Sequence, residues 1–225
     1  MSAPSSGSGT RPVRIAAGDG GVTLDGDLTL PAGDARGVVA FAHGSGSSRH
    51  SSRNRYVAGV LVEAGLATLL MDLLTREEER EDEWTRHLRF DIGLLAGRLV
   101  AATAWLAEQP ETASLRVGYF GASTGGGAAL VAAARESKRV GAVVSRGGRP
   151  DLAGDALPRV LAPTLLIVGG NDEPVIDLNR RAMQHMCAEV RLEIVPGATH
   201  LFEEPGTLET VARLAREWLV EKLTG

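Results

Sequence analysis

The chain has 225 residues, 44% of them hydrophobic and 23% charged, with 28 glycines and 10 prolines, the profile of a soluble globular protein that buries a full core in one domain. A formal net charge of −4, with Lys and Arg scattered rather than striped, speaks against a nucleic-acid surface. The single cysteine, Cys187, rules out an internal disulfide and zinc sites built on paired cysteines, and fits a reducing, cytoplasmic setting.

The N-terminal "MSAPSSGSGTRP" lacks the apolar core of a signal peptide and reads as a flexible tail over residues 1–12, ahead of a single domain over 13–225. The longest apolar stretch, 128–134, is far short of the roughly 18 residues of a membrane span, so no membrane partner is expected. Two weak strands near 13–16 and 24–30, joined by the turn-forming "GDGG", predict an antiparallel opening hairpin. After them the runs "GVVAFAHG" (37–44), "ATLLMDLL" (67–74), "RVGYFGAS" (116–123), "VGAVVSRGG" (140–148), "PTLLIVGGND" (163–172) and "VRLEIVPGATH" (190–200) do not alternate, so both faces of each strand are expected to be covered. Helical periodicity fills the gaps at 55–64, 91–108, 124–137, 177–187 and 207–222. The result is an α/β chain with a mostly parallel sheet and helices on both faces. The acid-rich "TREEEREDEWTRHLR" (75–89) reads as a solvated helix or loop, with a mobile flap at the carboxyl edge of the sheet as the sharper alternative.

In open α/β sheets ligands collect outside the carboxyl ends of the strands. Four predicted strands end there in groups that can work together: His43-Gly44-Ser45-Gly46, Ser123, Asp172 and His200. Ser123 lies between Gly121 and Gly125 in "GASTGGG". A nucleophilic serine needs a base within reach and a sharp strand-to-helix turn that projects its oxygen, which only small neighbours tolerate. The bland alternative is a helix cap. His200 follows a late strand and suits a general base, whereas His50, His87 and His185 read as ordinary surface or core residues. Asp172 would orient the imidazole and stabilise its protonated form, with Glu173 the nearest rival and Asp151 a more distant one. The oxyanion donors are expected to be the backbone N–H groups of Thr124 and Ser45, with Gly46 as alternative to Ser45. A phosphate-binding loop is disfavoured because no Lys-Ser or Lys-Thr follows these glycines; neither cofactor nor metal is expected.

Together "HGSGSS", "GASTGG", "GGNDEPV" and "PGATHLFEEPG" resemble the α/β-hydrolase superfamily, in particular its small dienelactone-hydrolase-like branch, over nearly all of residues 20–223. The resemblance implies an α/β-hydrolase fold with Ser123 as nucleophile, Asp172 as acid, His200 as base, and Thr124 and Ser45 as oxyanion donors. Dienelactone hydrolases proper use cysteine at the elbow, whereas this chain has serine there and its Cys187 on a predicted helix elsewhere, which sets dienelactone itself aside as substrate. Similar chains also occur joined to phosphoribosyltransferase-like domains. Many of these hydrolases carry a cap between the strands ending here near Gly148 and beginning near Pro163. The short link in this chain excludes a large one at that position.

The expected activity is therefore hydrolysis of a small carboxylic ester, lactone or thioester by a Ser-His-Asp triad. A non-catalytic binding module of the same fold is the alternative. A haloalkane-type hydrolase would want a carboxylate at position 123. Arg146 and Arg149 in "SRGGRP" could hold a substrate carboxylate or phosphate, although structural bonds are the default reading for each.

Overall fold

The computed structural model describes residues 9–18 and 21–224. Its first two strands, β1 (Gly9–Ala16) and β2 (Thr23–Leu30), pair antiparallel along their whole length, and the N–H of Ala17 closes the hairpin on Val22 O at 2.8 Å. The strand begins at Gly9 rather than Val13, so residues 9–12 belong to the sheet and not to a tail. Thr10 and Thr29 bond across the pair at 2.9 Å, and Pro12 is tolerated because β1 is an edge strand. Residues 1–8 of the expected tail, and part of the "GDGG" turn, lie outside the described residues.

Six further strands complete one sheet: β3 (Val38–Ala42), β4 (Ala67–Met71), β5 (Val117–Ala122), β6 (Val140–Arg146), β7 (Thr164–Gly169) and β8 (Val190–Val195). Their order is β1-β2-β4-β3-β5-β6-β7-β8; β1, β2 and β4 pair antiparallel, and from β4 to β8 every pairing is parallel. Helices α1 (Ser52–Glu63) and α6 (Thr207–Leu223) share one face, where Leu61, Trp218 and Leu219 pack on Phe41, Phe120 and Val144. The other face carries α3 (Ile92–Glu108), α4 (Thr124–Arg135) and α5 (Glu173–Met183), with Leu99 and Leu130 packed in the same core as Tyr119 and Val143. Burial on both faces explains why β3 to β7 read as continuous apolar runs.

β8 departs from that expectation. As an edge strand it is only partly covered: Arg191 is exposed, as is Ile194 at 38%. The acid-rich segment contains a ten-residue helix, α2 (Arg76–Thr85), followed by a single 3-10 turn at Leu88–Phe90. Between β6 and β7 the chain makes only 3-10 turns over Pro150–Arg159, with Gly154 at φ 47°, and no cap domain stands there.

The chain leaves β3 toward β4 on one side and returns to β5 on the other, so the sheet reverses its winding between β3 and β5. A crevice forms at such a switch point, at the carboxyl ends of the strands. The loop after β3 and the turn after β5 meet there.

Candidate active site

The turn after β5 is held open by small residues. Ser123 has φ 52° and ψ −121°, a conformation that costs a non-glycine residue on the order of 1–3 kcal/mol. A Cβ on Gly121 would lie 2.5 Å from Gly125 O, and one on Gly125 would collide with Ala42 O and His43 O, so β5, α4 and β3 can approach this closely only through glycine. Ser123 occupies the cap position of α4, yet its side chain bonds to none of the helix's first N–H groups. The cap reading therefore fails, and the hydroxyl stands free of the local backbone. Its backbone is tied on both sides: Ser123 N–H donates to Arg146 O (3.2 Å), and Ser123 O accepts from Gly126 N (2.9 Å) and Arg149 N (3.1 Å).

The loop after β3 is fixed by His43, a buried residue that the sequence reading used only as part of a loop. Its Nε2 accepts from Leu73 N–H (3.1 Å), which places its proton on Nδ1, the donor to Gly44 O (3.0 Å). Burial pushes the pKa of His43 down and keeps the ring neutral. Gly44 then passes close to the nucleophile, where a Cβ would come 3.1 Å from Ser123 Cβ. The next turn closes from Ser47 N–H to Gly44 O (3.2 Å), with Gly46 at φ 69°.

Ser45 and Thr124 do meet. Ser45 N–H donates to Thr124 Oγ1 at 3.1 Å, and the two hydroxyls lie 3.0 Å apart. Ser45 Oγ donates onward to Arg89 O (3.3 Å), so the Thr124 hydroxyl is the donor to Ser45 Oγ. Thr124 is the first residue of α4, and its own N–H has no intrahelical acceptor. Farther along, Arg49 pairs with Asp72 at the end of β4 through both its backbone N–H (2.8 Å) and its guanidinium, pinning the rest of the loop. Neither residue was singled out from the sequence, because the pairing joins two strand ends that only the fold brings together.

Asp172 and His200 are also together: His200 Nδ1 and Asp172 Oδ2 are 2.7 Å apart. Asp172 precedes α5 without capping it through its side chain, so the cap alternative fails here too. Glu173 and Asp151, the rival carboxylates, make no bond to His200; Asp151 instead binds Arg149 through two bonds of 2.8 and 2.7 Å. His50 is bonded to Arg55 (2.6 Å) and is one of the residues lining the cleft beside the site. Ser123 and His200 reach the same edge through β6. Ser123 is bonded to Arg146, and the following Gly147 is so close to the imidazole that a Cβ would lie 3.5 Å from His200 Nδ1. Ser123 Oγ makes no hydrogen bond to His200 in this structure.

A cleft of about 470 Å³ opens beside Ser123, on the side of β3 and β4, and Ser45, Thr124, Leu73 and Leu95 are among its lining residues. Its outer wall is α2. That helix begins in a capping box, Thr75 N–H to Glu78 Oε2 (2.8 Å) and Glu78 N–H to Thr75 Oγ1 (3.1 Å). Asp82, 1% exposed, accepts from the N–H groups of Leu88 (2.7 Å) and Arg89 (3.2 Å) and pairs with the Arg89 guanidinium. Glu79 faces the cleft, and its carboxyl pKa is raised by burial and then by Asp72. The acid-rich segment, expected as a solvated helix or loop, is thus a helix latched by polar contacts.

The sheet order and the strand-end site define an α/β-hydrolase fold without a large cap. The model of the dienelactone hydrolase family matches residues 24–221, and the chain belongs to that family. It is 62% identical to a dienelactone hydrolase from Anabaena variabilis ATCC 29413 of known crystal structure (TM-score 0.92, 96% of this chain and 99% of that one). Est1E from Butyrivibrio proteoclasticus shares the fold at 17% identity (TM-score 0.78, 94% and 98%). In two strains of Mycobacterium tuberculosis, CDC 1551 / Oshkosh and H37Rv, a protein named "putative phosphoribosyl transferase" is 63% identical over 213 residues, 95% of this chain and 46% of that protein. The chain thus spans about half the length of these curated relatives. Among the described residues no helix is long and apolar enough to cross a membrane.

Proposed function

We propose that the chain is a serine hydrolase that cleaves a small carboxylic ester, lactone or thioester through an acyl-enzyme on Ser123. His200 takes the Ser123 proton as the hydroxyl oxygen bonds to the substrate carbonyl carbon, then gives it to the departing alcohol or thiol as the scissile bond breaks. Water repeats the sequence: His200 removes its proton, the acyl–oxygen bond to Ser123 breaks, and the proton returns to the serine. Asp172 holds the imidazole in the tautomer with Nδ1–H and stabilises its protonated form. The N–H groups of Thr124 and Ser45 receive the oxyanion. Ser45 N–H rests on Thr124 Oγ1 (3.1 Å), and an oxyanion, being charged, is the stronger acceptor and displaces it.

The observation that carries this reading is the strained backbone of Ser123, a free hydroxyl on an edge shared with the His200–Asp172 pair. Helix α4 adds to it, since its N-terminus favours negative charge beside Thr124. The absence of a cap favours short acyl groups. The name carried by the mycobacterial relatives belongs to chains of roughly twice the length, and hydrolysis is the reaction assigned here to the strand-end residues.

The test is labelling by a fluorophosphonate probe together with hydrolysis of activated short esters. Both should be present in the folded chain and lost in Ser123→Ala. A folded chain that neither labels nor hydrolyses would instead be a binding module of the same fold, the outcome to which the missing Ser123–His200 hydrogen bond would then point.

A further inference from the structure

The hydroxyl of Ser45 makes bonds that its backbone N–H does not need. Ser45 is exposed and stands between Gly44 and Gly46, the latter at φ 69°, so the chain on either side gives a donor at this position little stiffness. The side chain supplies ties in two directions. Its Oγ donates to Arg89 O (3.3 Å) and accepts from the Thr124 hydroxyl (3.0 Å), whose own oxygen accepts Ser45 N–H (3.1 Å).

A carbonyl can only accept, and this sets the direction of the whole chain of bonds. Arg89 O takes the Ser45 hydroxyl proton, Ser45 Oγ then offers Thr124 only lone pairs, and Thr124, its proton committed, turns a lone pair toward Ser45 N–H. The donor is thereby aimed before any substrate arrives, at a neutral acceptor that an oxyanion can replace. Without Arg89 O the Ser45 hydroxyl can turn to Thr124 Oγ1, the atom that its own N–H occupies.

Arg89 O is itself held. The N–H groups of Leu88 and Arg89 are bonded to the buried Asp82 carboxylate, the Arg89 guanidinium pairs with the same carboxylate, and Arg89 Nη2 donates to Asp82 O (3.0 Å). The start of α2 is fixed to the core. There Glu78 pairs with Arg98, a 6% exposed residue of α3 that also donates to Ala17 O (3.2 Å). A helix with a single buried residue is thus part of a polar frame, which Arg89 O extends to the loop after β3.

We propose that Asp82 and Arg89 are positioning residues for the oxyanion donor Ser45, acting through the Ser45 hydroxyl. This rests on the serine-hydrolase reading and adds to it a control of the same site: the acid-rich segment sets turnover as well as walling the cleft. Asp82 and Arg89 line that cleft together with Ser45 and Thr124, so a group seated there touches both ends of the chain of bonds. A group that pushes α2 outward draws the Ser45 tether with it. Such a substrate is turned over slowly as well as bound weakly.

The experiment measures kcat and KM for 4-nitrophenyl butyrate in the wild-type chain, in Ser45→Ala, Asp82→Ala and Arg89→Ala, and in Ser45→Ala combined with each of the other two. Ser45→Ala keeps the backbone donor and removes the tether, and kcat should fall about three- to tenfold, the range of one hydrogen bond. Asp82→Ala and Arg89→Ala should each lower kcat about threefold and raise KM by more. In the Ser45→Ala background the fall in kcat should vanish while the rise in KM persists, because the wall still moves but the hydroxyl that transmits the movement is gone. A fall in kcat of equal size in both backgrounds, or in neither, overturns the coupling and leaves the hydrolase standing. Should Asp82→Ala fail to fold, Arg89→Ala carries the test, since it alters a partly exposed side chain and keeps the carbonyl. If Ser123 does not label and no ester is cleaved, the exchange rate of the Ser45 amide proton, read by NMR, decides the positioning alone. Exchange about threefold faster or more in Arg89→Ala supports it, and an unchanged rate overturns it.

Discussion

His200 Nδ1 lies 2.7 Å from Asp172 Oδ2, while the carboxylate is shielded and the imidazole is 39% exposed. The acceptor is thus fixed in the protein and the ring edge that would shuttle protons in the proposed reaction faces outward. Under the proposed mechanism Asp172→Asn removes the charge and the tautomer lock while keeping the shape. Its kcat for an activated ester should fall about 10⁴-fold with an unchanged circular dichroism spectrum. A loss below tenfold would mean that the pair is structural.

Strain at Ser123 separates two substitutions that activity cannot. Both Ser123→Ala and Ser123→Gly abolish the nucleophile, but only glycine adopts φ 52° without penalty. Ser123→Gly should be more stable than Ser123→Ala by about 1 kcal/mol in urea unfolding, the strain relieved less the added backbone entropy. Equal midpoints would show that the turn is relaxed.

At Gly121 and Gly125 the neighbours are backbone atoms, which cannot rotate away. Gly121→Ala and Gly125→Ala should each cost about 1–3 kcal/mol and reduce fluorophosphonate labelling, because the displaced atoms belong to the β3 loop and the start of α4. Unfolding midpoints and labelling rates should therefore fall together.

Those glycines, the serine between them, and the later aspartate and histidine were legible in the sequence because each ends a strand and the fold threads them in order. The hairpin was legible through its turn. What escaped has a common cause. Helix α2 has no apolar stripe, its single buried residue being Asp82, so periodicity could not find it; only the Thr75-x-x-Glu78 capping box marked its start. The solvent exposure of β8 depends on its place at the sheet edge, which strand composition does not encode. The Ser45–Thr124 bond and the Arg49–Asp72 pair are relations between distant segments, invisible until those segments meet.

His43 gives a pH dependence. Its folded pKa is below that of the unfolded chain, about 6.5. As the pH falls through 6.5 the unfolded chain takes up a proton that the native chain refuses, so stability declines from there toward the folded pKa. The slope is at most about 1.4 kcal/mol per pH unit for one proton. Urea midpoints from pH 7.5 to 5.5 should fall less steeply in His43→Gln than in the wild type. Parallel curves would assign the acid sensitivity to other groups.

The latch of α2 is polar and therefore local. Asp82→Ala leaves the N–H groups of Leu88 and Arg89 without their acceptor, at about 1–3 kcal/mol. Hydrogen exchange over residues 75–90 should accelerate while α3 stays protected, and KM should rise more than kcat falls. Protection unchanged over that segment would show that the Glu78–Arg98 pair holds it alone.

The short crossing between β6 and β7 has a bearing on the fate of the acyl group. Enzymes that pass an acyl group to an alcohol or amine must keep bulk solvent from the intermediate while the acceptor binds. Over this strand edge the chain sets only 3-10 turns, with Gly154 at their bend, and nothing there can seal the intermediate from its surroundings. An acyl group on Ser123 would meet water before it met a scarcer acceptor, so added alcohols should divert little of the product. Under the proposed mechanism the brevity of one loop thereby favours hydrolysis over transfer.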